Sequence, residues 1–116
     1  MGDSERTVPD LYVVARNQDD VAMSSVEGEL LTIALLQDEI LLHTQPADLF
    51  LAEVLFFNLP VGRYQVMAVH EAVNPAQAQQ TVQINSQTVV IGVRFIYSEP
   101  ERQLLRAEVR EFRVDE

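Results

Sequence analysis

A chain of 116 residues with 47% hydrophobic side chains has enough apolar surface for one core without disulfides or metal, and too much for intrinsic disorder. Its formal net charge of -10, from 18 acids against 8 arginines, argues against nucleic acid and anionic membrane as partners, because both need a cationic surface. Cysteine and lysine are both absent, which excludes disulfides, thiol catalysis, thiolate metal sites, Schiff-base chemistry and a P-loop lysine.

The charge is uneven. Residues 1–61 hold 11 acids and 2 arginines, a net of -9, whereas residues 62–116 hold 7 acids and 6 arginines, a net of -1. An acidic face that keeps the domain soluble explains this; a surface for a cation or a basic partner is the sharper reading. Every apolar run is broken by charge well short of the roughly 18 residues a membrane span needs. The start, Met1 to Thr7, is polar and acidic and reads as no signal peptide. The expected compartment is therefore cytoplasmic for a full-length chain and exported for an excised domain, and is otherwise unknown.

Residues 1–9 are expected to form a flexible N-terminal arm ahead of a single domain over 10–116. Leu11 to Ala15 is β-branched and aromatic and reads as a first strand, followed by an Asx-rich turn over Asn17 to Asp20. Val21 to Val26 reads as a short edge segment ended by Gly28. Leu30 to Leu36 and Ile40 to Thr44 flank the polar turn Gln37 to Glu39 and predict a hairpin. Gln45-Pro-Ala-Asp48 breaks the pattern. Val54 to Val69 then predicts a second hairpin, around the tight turn Asn58-Leu-Pro-Val-Gly62. Residues 71–80 read as an Ala/Gln-rich loop containing Asn74-Pro75.

Thr81 to Ile84 alternates as a strand. Thr88 to Tyr97 does so over its whole length, with Val89, Ile91, Val93, Phe95 and Tyr97 on one face and Val90, Gly92, Arg94 and Ile96 on the other. Residues 99–113 satisfy two patterns. Ser98 to Glu101 fits a helical capping box, with Leu105, Val109 and Phe112 on one helical face. Leu105, Ala107 and Val109 also alternate with Arg106, Glu108 and Arg110 as in a half-exposed strand. The strand is preferred because it would cover an otherwise exposed hydrophobic edge along Thr88 to Tyr97. The sum is an all-β Greek-key sandwich of seven or eight strands.

Phe57-Asn-Leu-Pro-Val-Gly-Arg-Tyr64, with the strands around it and Thr81-Val-Gln-Ile84 beyond, resembles the carboxypeptidase regulatory-like, or transthyretin-like, group of domains over roughly residues 30–96. The resemblance implies a prealbumin-like topology. That group usually carries an Asp-x-x-Gly turn before the second of these strands. Here Thr44 to Ala52 lacks the glycine, so the 45–53 connection is expected to be remodelled and open to added function. Two activities of related domains are not implied. The chain ends Phe112-Arg-Val-Asp-Glu116, without the Tyr-Arg-Gly-Ser motif of hydroxyisourate hydrolases, and it has no lysine for the isopeptide cross-link of surface adhesins. What the resemblance implies is a module that packs against, spaces or binds something else.

Few side chains point to chemistry. His70 beside Glu71 could act as a general base or ligate a metal, but no nucleophile or further ligand accompanies it. His43 lies among apolar neighbours and reads as a hydrogen-bonded strand residue. Asn17, Asp19 and Asp20 offer oxygens to calcium without the spacing or glycine of an EF-hand. Asp48 and Glu53 could pair as in glycoside hydrolysis, a pattern with little weight among 18 acids. On a strand, Arg102, Arg106 and Arg110 would share one face.

The expected function is a non-enzymatic structural or protein-binding module. Its candidate partner-binding residues are Asp48, Phe50, Glu53, Arg102, Arg106 and Arg110, and no catalytic, metal or cofactor residue is assigned. The partner is expected to be a protein, including a second copy as a homodimer, met through a strand edge or the loops at 45–53 and 71–80. The alternative is a carbohydrate-binding module using Tyr12, Tyr64 and Tyr97 in the absence of tryptophan. A small hydrolase using His70 is third.

Overall fold

The computed structural model describes residues 8–86 and 88–113, so the arm expected over 1–9 falls largely outside the described residues. Ten strands follow in chain order: β1 (Leu11–Asn17), β2 (Ser25–Val26), β3 (Glu29–Leu30), β4 (Thr32–Gln37), β5 (Ile40–Pro46), β6 (Glu53–Phe56), β7 (Gly62–Val69), β8 (Gln77–Ile84), β9 (Val89–Ser98) and β10 (Gln103–Arg113). There is no helix among the described residues. Eight longer strands form two four-stranded sheets, ordered β10-β9-β1-β6 and β5-β4-β7-β8, while β2 and β3 make a two-residue ribbon. The architecture is an all-β sandwich.

Alternation builds the core. Leu11, Val13, Ala15, Val54, Phe56, Ile91, Val93, Phe95 and Tyr97 project inward from the first sheet and are buried. Ile33, Leu35, Tyr64, Val66, Ala68, Val82 and Ile84 meet them from the second, in one continuous cluster. Every neighbouring pair within the two sheets is antiparallel except β1 with β9, which run parallel with Leu11 opposite Ile91 and Asn17 opposite Tyr97.

The sheets stack with β5 over β6, where the rings of His43 and Phe56 lie 6.1 Å apart, and with β8 against β9 and β10. The sandwich thus has one lateral flank made by β5 and β6 and an opposite flank made by β8 and β10.

The β4–β5 hairpin forms as expected, with Asp38 and Glu39 both in the left-handed region (φ 53° and 67°), the conformation that matches a two-residue turn to the strand twist. The segment 99–113 is a strand, not a helix: β10 pairs along β9 from Gln103 opposite Ser98 to Arg113 opposite Val89. Ser98 and Glu101 do bond side chain to side chain, but inside the β9–β10 turn and not at a helix cap.

Two expectations are corrected. Val54 to Val69 is not a hairpin, because β6 pairs with β1 in the first sheet and β7 with β4 and β8 in the second. The turn between them crosses from sheet to sheet. Leu59 at its centre is buried, and its N–H donates 2.8 Å to the carboxylate of Asp10, a residue with no exposed surface at the head of β1. Tyr64 then folds back on the turn, its hydroxyl donating 2.6 Å to the Pro60 carbonyl in the manner of a tyrosine corner. The second correction concerns 71–80. β8 begins at Gln77, so only the first part of that segment is loop, because Gln77 to Gln80 pair with Val69 to Val66 of β7.

Candidate functional site

The 45–53 connection is built around Asp48. Its two carboxylate oxygens accept the N–H groups of Phe50 (3.1 Å) and Leu51 (2.9 Å), and its carbonyl accepts that of Ala52 (2.9 Å), closing a single turn. Ala47 and Ala52 anchor the two ends in the core. Ala47 N–H donates to Leu31 and Ala15 N–H donates to the Ala52 carbonyl, while Ser24 Oγ donates 2.9 Å to the Leu49 carbonyl. Ala52 stands at φ 54°, the left-handed conformation that favours glycine, so the turn closes without the expected glycine by placing an alanine there. The result is a well-bonded turn that turns Leu49, Phe50 and Leu51 into solvent, with Phe50 at 85% exposure.

This turn continues an apolar flank. Ile40, Leu41 and Leu42 on β5 are exposed, as are Leu55, Phe57 and Val61 further along the chain. From residue 17 to residue 62 the chain has eight acids and no arginine or lysine. Asp38, Glu39, Asp48 and Glu53 form the charged surroundings of this flank.

The outer face of the first sheet carries a second feature. Strand register sets its side chains in rows, with Arg110, Gly92, Tyr12 and Leu55 in one and Glu108, Arg94, Val14 and Glu53 in the next. Between them runs a groove of about 650 Å³, floored by Tyr12, Val14, Leu55 and Phe112 and bordered by Arg16, Arg94, Arg113 and Glu53. Tyr12 and Phe112 form a tilted ring pair, 5.9 Å between centroids and 31° between planes. Gly92 makes this possible, since a Cβ there would sit 2.6 Å from the Tyr12 ring.

Charge at the β10 edge converges on Glu108. Its carboxylate accepts from Arg106 Nε at 2.7 Å, with Arg94 at 3.9 Å and Arg110 at 4.0 Å. The Arg106 hydrogen bond, helped by the three positive charges, holds the Glu108 carboxyl below its ordinary pKa. Arg94 also pairs with Asp20 across the β1 turn.

The structure thus separates the sequence candidates. Asp48 and Phe50 lie in the turn, while Glu53, Arg106 and Arg110 share the outer face of the first sheet at opposite edges. Arg102 does not join that face. It sits in the β9–β10 turn at φ 59°, paired with Glu27, because a bulge between Leu104 and Arg106 breaks the alternation that would have aligned it. Asp48 and Glu53 do not converge as an acid pair, since the Asp48 carboxylate is spent on its own turn and Glu53 faces the groove.

The other candidates have structural partners. His70 is buried, its Nδ1 accepting the Ala72 N–H and its Nε2 2.9 Å from the Glu29 carbonyl, so the ring is the Nε2–H tautomer with both nitrogens engaged. Asn17 Oδ1 accepts the N–H groups of Asp19 and Val21, closing the turn expected there. His43 is an exposed β5 residue that packs on Phe56. Tyr64 and Tyr97 are buried, leaving Tyr12 alone at the surface. No group of three or more His, Cys, Asp or Glu suited to a metal ion occurs among the described residues.

No family model matches this chain, and neither does any curated protein or solved structure. Sequence reasoning named Tyr12 as a surface aromatic but missed Asp10 and Gly92. A lone Asp directly before an all-apolar run, and a lone Gly in an otherwise β-branched strand, were the available signals.

Proposed function

We propose that the chain is a non-enzymatic protein-binding or structural β-sandwich module, which meets its partner through the turn at 48–52. The observation carrying this reading is the exposed Leu49-Phe50-Leu51 tip. Three adjacent apolar side chains in water are unfavourable, yet Asp48, Ser24 and two buried alanines combine to hold them there. An aromatic anchor on a preorganised turn loses little freedom on binding, which is how a few residues come to dominate an interface. Assignment to the carboxypeptidase regulatory-like, transthyretin-like group, with its Greek-key topology, is supported by the sheet-crossing Leu59-Pro60 turn and the Tyr64 corner that follows it.

The test is a photo-cross-linking residue at position 50, compared with one at Gln83 on β8, in extract of the source cells. Discrete adducts at 50 that vanish with Asp48→Ala, which frees the turn, support the reading. Equal labelling at both positions counts against it.

Carbohydrate binding is the second reading, favoured by the Tyr12–Phe112 groove with its arginine and glutamate border. Burial of Tyr64 and Tyr97 weighs against a tyrosine platform. Glycan binding that is lost in Tyr12→Ala and kept in Phe50→Ala would favour it. The hydrolase reading gains nothing, because His70 has no nitrogen left for a substrate.

A further inference from the structure

The geometry points to head-to-tail self-association, with the β5/β6 flank of one copy seated on the β10 edge of the next. Fourteen large hydrophobic side chains are exposed among the described residues, and they are not scattered. Nine belong to the stretch from Ile40 to Val61, on or beside the β5/β6 flank, and three, Leu105, Val109 and Phe112, belong to β10. Isolated surface hydrophobics are ordinary, whereas apolar patches concentrated on two flanks mark contact surfaces.

The two flanks are complementary in charge. Residues 38–61 carry Asp38, Glu39, Asp48 and Glu53 with no arginine or lysine, a net of -4 with His43 neutral. β10 carries Arg106, Arg110 and Arg113 against Glu108 and Glu111, a net of +1, in a chain whose total is -10. Joining the β5/β6 flank to itself about a two-fold axis would bring four acids against four. Joining it to β10 brings acids against arginines around two apolar strips.

Position decides the kind of assembly. β5 and β6 end the two sheets on one side, and β10 ends the first sheet on the other. A contact between opposite flanks leaves one of each unused in every complex, so it propagates as an open chain or closes as a ring. This goes further than the protein-binding reading and rests on it only in that the 48–52 turn borders the acidic flank.

The experiment uses two half-blocked variants of the whole chain, each checked for native circular dichroism. Leu41→Glu with Phe50→Glu blocks the acidic flank. Leu105→Glu with Arg106→Glu blocks the basic one. By sedimentation equilibrium up to about 1 mM, the weakest affinity of interest, the unmodified chain is expected to gain mass with concentration past the dimer. Each variant alone should remain at monomer mass, and the equimolar mixture should double in mass and stop there, because each component keeps one intact flank. A monomeric unmodified chain, association that persists in either variant alone, or a mixture that stays monomeric overturns the inference. Cross-linking from position 50 to a different protein, with the chain itself monomeric, removes the inference and leaves the protein-binding reading standing.

Discussion

Replacing Gly92 by alanine tests whether the Tyr12 ring is seated on the sheet as described. The added Cβ would lie 2.6 Å from Cε1, 2.7 Å from Cζ and 2.9 Å from the hydroxyl oxygen of Tyr12. Carbon atoms in good contact stand about 3.5–4.0 Å apart, so the ring must lift by about 1 Å and give up its packing on Phe112. Overpacking of this kind costs about 1–3 kcal/mol. Against it stands the ordinary gain of about 0.5–1 kcal/mol for alanine over glycine within a strand. The net effect of Gly92→Ala is therefore a destabilisation of up to ~2.5 kcal/mol. In a Tyr12→Ala background the clash is gone and the same substitution should stabilise by about 0.5–1 kcal/mol. Urea denaturation of the four proteins gives the cycle, with a coupling of about 1–3 kcal/mol expected between the two positions. For a domain of this size 1 kcal/mol moves Tm by about 4 °C, so the reversal of sign is readable by heating as well. Equal effects of Gly92→Ala in both backgrounds would refute the seating of the ring, and with it the floor of the groove.

The two buried tyrosines should answer oppositely to removal of the hydroxyl. Tyr64→Phe loses the bond to the Pro60 carbonyl and should cost about 0.5–1.5 kcal/mol, whereas the Tyr97 hydroxyl is buried without a hydrogen-bond partner among the described residues, so Tyr97→Phe should leave urea stability unchanged or raised. Burial pushes the Tyr97 pKa up from 10.0 to about 12. Its contribution is thus complete below pH 10 and is lost as pH rises toward 12, and the alkaline fall in Tm should be shallower in Tyr97→Phe. Glu108 runs the other way. Its folded pKa lies below the ordinary 4.5, so its contribution is complete above that value and lost as pH falls through the lowered one; a side-chain carbon NMR titration should show the shift, and Arg106→Ala should reduce it. Asp10→Ala removes the buried hydrogen bond from the Leu59 N–H to the Asp10 carboxylate and should cost about 1–3 kcal/mol in urea denaturation, with much of it recovered in Asp10→Asn, which keeps an acceptor oxygen.

Much of the fold is legible in local pattern. The alternation of Ile91, Val93, Phe95 and Tyr97 marks the buried face of β9, and the need to cover that strand identifies β10 despite its helix-forming composition. Partner choice is less legible. Glu53 to Phe56 has the same pattern whether it pairs with β7 next in sequence or with β1 some forty residues earlier, and the difference lies in Asp10 and Leu59 meeting across the turn. A bulge is silent too. Nothing in Leu104-Leu105-Arg106 announces the slip that removes Arg102 from the face of Arg106 and Arg110. Of the candidate surface, Phe50 is legible only as part of the remodelled 45–53 connection; its 85% exposure is set by the turn. Asp48 stood out as an acid, although its role is to accept backbone N–H groups.

The parallel pairing of β1 with β9 sets an order of events during synthesis. β4, β5, β7 and β8, residues 32–84, can form their sheet from neighbours close in sequence, while Leu11 waits for Ile91, eighty positions later. Until β9 is made, the inner face of the second sheet can be covered only by β1 and β6, and β1 lacks its neighbour on the β9 side. The part of that apolar face which Ile91, Val93, Phe95 and Tyr97 will bury is thus the surface most open to wrong contacts before the chain is finished.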